Sequence, residues 1–505
     1  MASCDRMPSV QRYANDGRKI SIALLLLFCL LPFSLFVQSG CGAKRTPNLE
    51  RIFAEARTRT GKRPIIVIPG ILGSQLVNKN TGKVAWPTVF RVSDNDLRLP
   101  ISADLAANRD DLVASKILDT IKLAKLVPEV YVYHHLLVAL KTFGGYAEGD
   151  WDNPAPAGDR DTYYVFPYDW RRDNVETARE FVRRVESLKT RLNRPDLKFN
   201  IIAHSMGGLV ARYAAMYGDT DLPADDSQPV PSWSGANHIS KIFMFGTPNE
   251  GSADAFATLL EGYSVTEGLR RRIRLLNKLS REDALTSPAM FQLLPHSRTV
   301  RFLDGSLKPL DIDLYDPAVW RHYEWAAISD PKFRQSFEGR ESEIANSHAT
   351  TKSIATLDLY FAAVLRRAKR FHEALDVPLE SIAPVAMFAF GGDCEETLVA
   401  PVVYRDEKRG RWITLTGPRE LRLDTGQKIS KQETTRTMFA PGDGRVSRRS
   451  LLGETLAENH RSSPLFNTSL PLVYAVFACD RHSALQSNKT LQDNALTALV
   501  SEAMK

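Results

Sequence analysis

Apolar positions fall along the chain in two rhythms. Short, mostly apolar runs stand at Ile65–Ile68, Tyr163–Phe166, Leu197–Ala203, Ile239–Phe245, Pro384–Phe390 and Pro471–Ala478. Runs of this length, several rich in β-branched residues, read as strands buried on both faces, as a parallel sheet requires. Between them the apolar positions change to helical spacing. Val175, Ala178, Phe181, Val182, Val185, Leu188 and Leu192 make one amphipathic helix, Leu209, Ala211, Tyr213 and Ala214 mark the buried side of another, and a last helix opens near Lys489. Strands that alternate with helices predict an α/β protein with a mostly parallel central sheet.

Two stretches interrupt that alternation. Leu76–Arg160 has weak periodicity, a helical stretch near Val127–Lys141 and the aromatic residues Trp86, Phe90 and Trp151. It is too long for a core loop and is expected to form a cap or lid insertion over about 77–160. Residues 253–380 look largely helical and predict a second cap. A hairpin is expected within about 400–425, from Val402 to Leu423 with its turn at Lys408-Arg409-Gly410. The α/β domain would then span 63–505, behind a polar linker at 42–62.

Residues 1–41 carry the pattern of a targeting segment. Arg12, Arg18 and Lys19 flank the apolar stretch Ile20–Val37, and Ser39-Gly40 lead to Cys41. This resembles a bacterial lipoprotein cleavage site, with Gln38 where an aliphatic residue is usual. Cys41 would become the lipidated N-terminus, and an uncleaved signal anchor broken by Pro32 is the alternative. Either version expects a membrane-tethered protein on the periplasmic or extracellular face. The formal net charge of +7 falls to +5 without the residues before Cys41, because that segment holds four basic and two acidic residues. Such an excess suits an anionic lipid surface, and no block of arginines interleaved with aromatics suggests nucleic acid. With 43% hydrophobic and 25% charged residues the composition is that of an ordinary globular chain. Cys394 and Cys479 are the cysteines left outside the targeting segment. In an oxidising compartment they would either pair or remain as two buried thiols. No C-x-x-C or H-E-x-x-H spacing argues for a metal, and no cofactor or obligatory protein partner is expected.

The chemistry centres on Ala203-His204-Ser205-Met206-Gly207. A serine where a buried strand turns sharply into a helix is the nucleophile elbow of α/β-hydrolases, and the turn needs small residues on both sides. Gly207 and Ala203 meet that need, Ala203 standing where glycine is usual. The loop after Ile65–Ile68 would supply one oxyanion donor from the Ile71 N–H, and Met206 after the serine would supply the other. The fold's chain order of serine, acid, histidine leaves His460 and His482 as candidate bases. His482 lies just past the last strand, where it can reach the elbow, whereas His460 sits in a polar loop. Two candidate acids, Asp393 and Asp443, follow the Pro384–Phe390 strand, and spacing does not separate them. Asp169 and Trp170 are candidates to shape the substrate pocket, or else form a structural turn.

Several motifs together resemble the lecithin:cholesterol acyltransferase family, which includes lysosomal phospholipase A and phospholipid:diacylglycerol acyltransferases. They are Pro64–Leu76 (PIIVIPGILGSQL), Phe166–Arg171 (FPYDWR), His204–Arg212 (HSMGGLVAR), Gly246–Ser252 (GTPNEGS), Pro288–Pro295 and Gly442–Val446 (GDGRV). The resemblance implies that Asp443 is the acid and that Ser205, His482, Ile71 and Met206 fill the remaining catalytic positions. Arg445 replaces the family's threonine in G-D-G-T-V, and the cysteine pair of some relatives' early lid is missing. The implied activity is acyl transfer from a lipid ester at a membrane surface, to water or to a lipid alcohol, through an acyl-serine. Two other readings remain at this point: a hydrolase-fold lipid-binding protein with an impaired site, and a small-ester esterase or peptidase.

Overall fold

The computed structural model describes residues 46–88, 96–121, 130–225, 227–264, 278–296, 301–337, 353–378, 383–422, 426, 428–454, 468 and 470–501. The expected targeting segment with Cys41, and also Phe90 and His460, lie outside the described residues.

The apolar runs join into one seven-stranded sheet in which every neighbouring pair is parallel. Its strands are β1 (Ile65–Ile68), β2 (Ala147–Glu148), β3 (Thr162–Val165), β4 (Phe199–His204), β5 (Ile239–Phe245), β6 (Ala386–Gly392) and β7 (Leu472–Ala478). They lie in the order β7-β6-β5-β4-β1-β3-β2. The direction of travel across the sheet reverses between β1 and β4. In an open parallel sheet that reversal leaves a crevice at the carboxyl ends of the two strands.

Six longer helices accompany the sheet: α1 (His134–Thr142), α2 (Asn174–Arg191), α3 (Met206–Tyr217), α4 (Ala253–Glu261), α5 (Ile354–Leu375) and α6 (Lys489–Val500). Alternate strand residues feed opposite layers. Ile66, Ile68, Ile201 and Ile242 pack with α2, α3 and α5, while Ile65, Val67, Ile202 and Phe243 pack with α1 and α6. A strand sandwiched in this way has no polar face, which is why its sequence reads as an unbroken apolar run. The six apolar positions of α2 from Val175 to Leu188 are all buried. Asp173 caps that helix, its carboxylate accepting the Val175 N–H at 3.0 Å. All twelve residues of α3 are buried. Among the described residues no helix is long and apolar enough to cross a membrane.

Two boundaries differ from expectation. The stretch 77–160 is not wholly outside the sheet. Its first part forms an antiparallel set of strands, Ser74–Asn78, Val84–Trp86 and Leu112–Ile117. Its later part supplies α1 and the edge strand β2, with Leu136, Ala139, Leu140 and Tyr146 buried against the sheet. The expected helix near Val127 begins only at His134. The 42–62 stretch is also not a free linker throughout, because Leu49, Phe53 and Ala56 are buried in the same layer as α1 and α6. Residues 253–380 contain α4, α5 and several short helices, and the expected hairpin is present as Val402–Asp406 paired with Arg411–Leu415.

Candidate active site

β4 ends at His204 and α3 begins at Met206, so Ser205 alone makes the turn, with φ 52° and ψ −126°. That backbone is costly for a residue with a side chain and persists only where the surroundings fix it. The surroundings here are crowded. A Cβ at Gly207 would lie 2.5 Å from the Pro69 carbonyl oxygen, and one at Gly208 would lie 1.9 Å from Thr247 Oγ1. Ala203 lies between Ile68 and Met244 in register and is fully buried, so the sheet accommodates its methyl group.

Asp443 comes from outside the sheet. After β6 the chain forms an antiparallel pair, Glu395–Leu398 with Phe439–Gly442, and Asp443 follows directly. Its Oδ1 accepts the N–H groups of Arg445 and Val446 at 3.0 and 2.8 Å, and Thr397 Oγ1 accepts the Gly444 N–H at 2.9 Å. The turn is thus closed by the backbone and Thr397, while the Arg445 side chain turns away. Its guanidinium pairs with Asp254 at 2.6 Å and donates to the Tyr263 hydroxyl at 2.7 Å. The second oxygen of Asp443, Oδ2, is 2.8 Å from His482 Nδ1, and His482 Nε2 is 2.9 Å from Ser205 Oγ. An ionised carboxylate can only accept, so Nδ1 carries the proton and the Nε2 lone pair faces the serine hydroxyl. The His482 N–H also donates to the Asp443 carbonyl at 2.8 Å. Asp393 follows the same strand, but it is Asp443 that meets the imidazole.

Ser205 and His482 open onto a cavity of about 350 Å³. Its wall includes Ile71, Leu72, Trp86, Met290, Leu293 and Val446, with Asp254, Tyr263 and Arg445 as polar members. The Ile71 loop abuts the serine, since a Cβ at Gly70 would come within 2.8 Å of Ser205 Cβ. Met206 opens α3, so its N–H is one of the first-turn donors with no carbonyl partner in the helix. Asp169 and Trp170 do not line this cavity. Asp169 forms a two-pronged pair with Arg171, through contacts of 2.9 and 2.7 Å. Trp170 is fully buried, donates to the Ser74 carbonyl at 3.2 Å and meets Trp86 edge-on at 5.7 Å. They brace the turn behind the wall, where the FPYDWR composition gave no means of telling support from lining. Cys394 and Cys479 are disulfide-bonded, tying the exit of β6 to the exit of β7.

One group among the described residues has donor atoms close enough for a metal ion: Glu250, His296 and Asp376, all within 4.8 Å of one another. None of them lines the cavity. His296 Nδ1 is 3.0 Å from Asp376 Oδ2. Burial disfavours the charged imidazole there, but Asp376 and then Glu250 outweigh it, so its pKa lies above the usual value. His296 thus already pairs with one of these two carboxylates.

The buried histidines predict acid sensitivity. Burial, reinforced by the neighbouring His482, pushes His204 down to about 3, and burial with His296 pushes His372 well below its usual value. Both groups bind protons more readily in the unfolded chain. Their contribution to stability is therefore present above about pH 6.5 and is lost as pH falls below it, toward about 3 in the case of His204. His296, with its raised pKa, acts in the opposite sense. Its contribution is present below about pH 6.5 and lost as pH rises above it. Urea unfolding at pH 7 and pH 4 is expected to show a loss on the order of 3 kcal/mol from His204 alone. A stability that does not fall between those two values would contradict this account.

The lecithin:cholesterol acyltransferase family model matches residues 113–349. The family likeness read from the motifs therefore stands over that stretch, which includes Ser205 and Met206, while Ile71, Asp443 and His482 lie outside it. Among solved structures, the Tle4–Tli4 complex matches with a TM-score of 0.51 at 14% identity, covering 88% of this chain and 100% of that one. The lipase BlEst2 of Bacillus licheniformis matches at 12% identity and a TM-score of 0.21, over 50% of this chain and 59% of that one. Phospholipase PlaB from Legionella pneumophila matches at 20% identity and a TM-score of 0.20, over 33% and 30% respectively. No curated protein matches the chain. The fold is that of an α/β-hydrolase.

Proposed function

Starting from the likeness to the lecithin:cholesterol acyltransferase family, we propose that this protein is a serine-dependent lipid acylhydrolase or acyltransferase. The observation that carries the reading is the hydrogen-bonded line Asp443–His482–Ser205, with separations of 2.8 and 2.9 Å, at the wall of a mainly apolar cavity. His482 Nε2 takes the Ser205 proton as Oγ attacks the ester carbonyl of a lipid acyl chain. The negative charge on the carbonyl oxygen is met by the Ile71 and Met206 N–H groups, each such donor being worth about 3 to 4 kcal/mol in comparable sites. The tetrahedral adduct collapses, the C–O bond to the glycerol breaks, and the leaving alkoxide takes the proton from His482. The acyl-serine is then attacked by water or by a lipid alcohol, with His482 again accepting and returning a proton. Asp443 holds the imidazole in the required tautomer throughout.

The substrate is a glycerophospholipid-like ester presented at a membrane surface, with the chain tethered through lipidated Cys41 on the periplasmic or extracellular face. No nucleic acid, metal or obligatory protein partner enters the scheme. Incubation with mixed phospholipid vesicles, with and without diacylglycerol or a sterol, followed by lipid mass spectrometry, tests it. Free fatty acid and lysophospholipid are expected, with acylated acceptor appearing in its presence if transfer competes with hydrolysis. Intact phospholipid after prolonged incubation, with cleavage confined to short water-soluble esters, would favour a small-ester esterase. The absence of all ester cleavage would favour a lipid-binding protein.

A further inference from the structure

Beyond the three side chains in line, a second buried line of hydrogen bonds runs from the Ile71 loop to the His482 turn. The Gly70 N–H donates to the Tyr133 hydroxyl at 2.8 Å. That hydroxyl is 2.9 Å from His204 Nδ1, and His204 Nε2 is 3.1 Å from the His482 carbonyl oxygen. Tyr133 is 1% exposed and His204 8%. With the imidazole kept neutral by its burial, only one assignment of protons satisfies all three contacts. A carbonyl can only accept, so His204 Nε2 carries hydrogen, Nδ1 is left as an acceptor, and the Tyr133 hydroxyl must donate to it while accepting from Gly70. Each donor thus points to the next in a single direction, from the loop after β1, through the segment before α1 and the end of β4, to the turn after β7.

We infer that Tyr133 and His204 are positioning residues that hold the Ile71 N–H and the His482 ring in mutual register. The inference rests on the reading of Ser205, His482 and Ile71 given above. The peptide linking Gly70 to Ile71 is planar, so its N–H points opposite to the Gly70 carbonyl. That carbonyl accepts the Gly73 N–H at 3.0 Å. With the Gly70 N–H fastened to Tyr133 as well, the loop is pinned on both sides of the peptide that would present the Ile71 donor. At the other end, His204 holds the backbone of the residue that carries the base. Both side chains border the cavity, and the His204 ring packs against that of His482 with centroids 4.9 Å apart, but the polar atoms of the line are spent on Gly70, on each other and on the His482 carbonyl. What they set is the distance between where the oxyanion forms and where the proton is taken, and a misplacement of about 1 Å there can cost on the order of 100-fold in rate.

Three measurements on the full chain test this: steady-state turnover of a long-chain acyl ester, affinity for an alkylboronic acid that mimics the tetrahedral adduct, and titration of competent sites with a fluorophosphonate. Tyr133→Phe is expected to lower kcat per titrated site roughly 10- to 100-fold. KM should stay within about twofold, and the boronate should bind more weakly by the same factor as the loss in kcat. His204→Ala should do the same, and His204→Gln, which can restore the amide donor, should recover part of the loss. The double variant Tyr133→Phe/His204→Ala should be no worse than its worse parent, because the two groups act as one line. Unchanged kcat per titrated site, a loss carried by KM with boronate affinity intact, or additive losses in the double variant would each overturn the relay. Turnover that survives Ser205→Ala would overturn the reading of the site and the relay with it. Ser205-dependent turnover that ignores Tyr133→Phe would overturn the relay alone.

Discussion

Ser205→Ala is expected to lower turnover of a long-chain acyl ester by about 10⁴- to 10⁶-fold, the scale seen when a serine nucleophile is removed from a triad. The estimate follows from geometry. The hydroxyl is 2.9 Å from His482 Nε2, and among the described residues it is the side-chain oxygen that meets that lone pair. Alanine keeps the Cβ and the φ of 52°, so the elbow is retained and the loss reports chemistry and not unfolding. Fluorophosphonate labelling of the wild-type chain should fall on Ser205 and vanish in the variant, while the circular dichroism spectrum is unchanged. A variant that keeps more than about one hundredth of the wild-type rate would remove Ser205 from the role of nucleophile.

Asp443→Asn is expected to cost about 10⁴-fold in kcat with the fold intact. The amide oxygen can still accept the Arg445 and Val446 N–H groups, so the turn survives. The amide nitrogen facing His482 is a donor, however, and cannot accept the Nδ1 proton. The imidazole then favours the other tautomer, with hydrogen on Nε2 directed at the serine hydroxyl, and the base is lost. Asp393→Asn serves as the control and should leave kcat nearly unchanged. A loss below about tenfold for Asp443→Asn, or an equal loss for both variants, would show that Asp443 does not orient the base.

Much of this architecture was legible because the features that position the site are local. A strand buried on both faces has to be apolar at every position, and Ile65–Ile68 announces itself for that reason. The elbow is equally local, since its crowding can be met only by small residues within two positions of Ser205. Chain order then reduced ten histidines to two, and placement past β7 selected His482. The choice between Asp393 and Asp443 was different in kind. Asp443 reaches the imidazole through an antiparallel pairing of Glu395–Leu398 with Phe439–Gly442, a long-range contact with no periodic signal, and the family motif alone pointed to it. Tyr133 was invisible for the same reason, because its partner Gly70 is 63 positions away. Leu49, Phe53 and Ala56 do have helical spacing, but the charged residues among them make the stretch polar on average and hid its docking. Asp169 and Trp170 show the limit of reading by composition. An acid and an aromatic beside a strand end serve a pocket or a brace equally well, and only the Arg171 and Trp86 contacts decide.

The Cys394–Cys479 bond closes a ring 85 positions around, and the ring contains the hairpin and Asp443 while His482 sits three residues beyond its clasp. The entropy of closing so large a ring grows only logarithmically, so doubling its length would cost about 0.6 kcal/mol more. Excursions between the two cysteines are therefore cheap to lengthen or exchange, provided the paired segment that carries Asp443 is kept. New surface can be grafted onto this rim of the molecule without moving Asp443 away from His482.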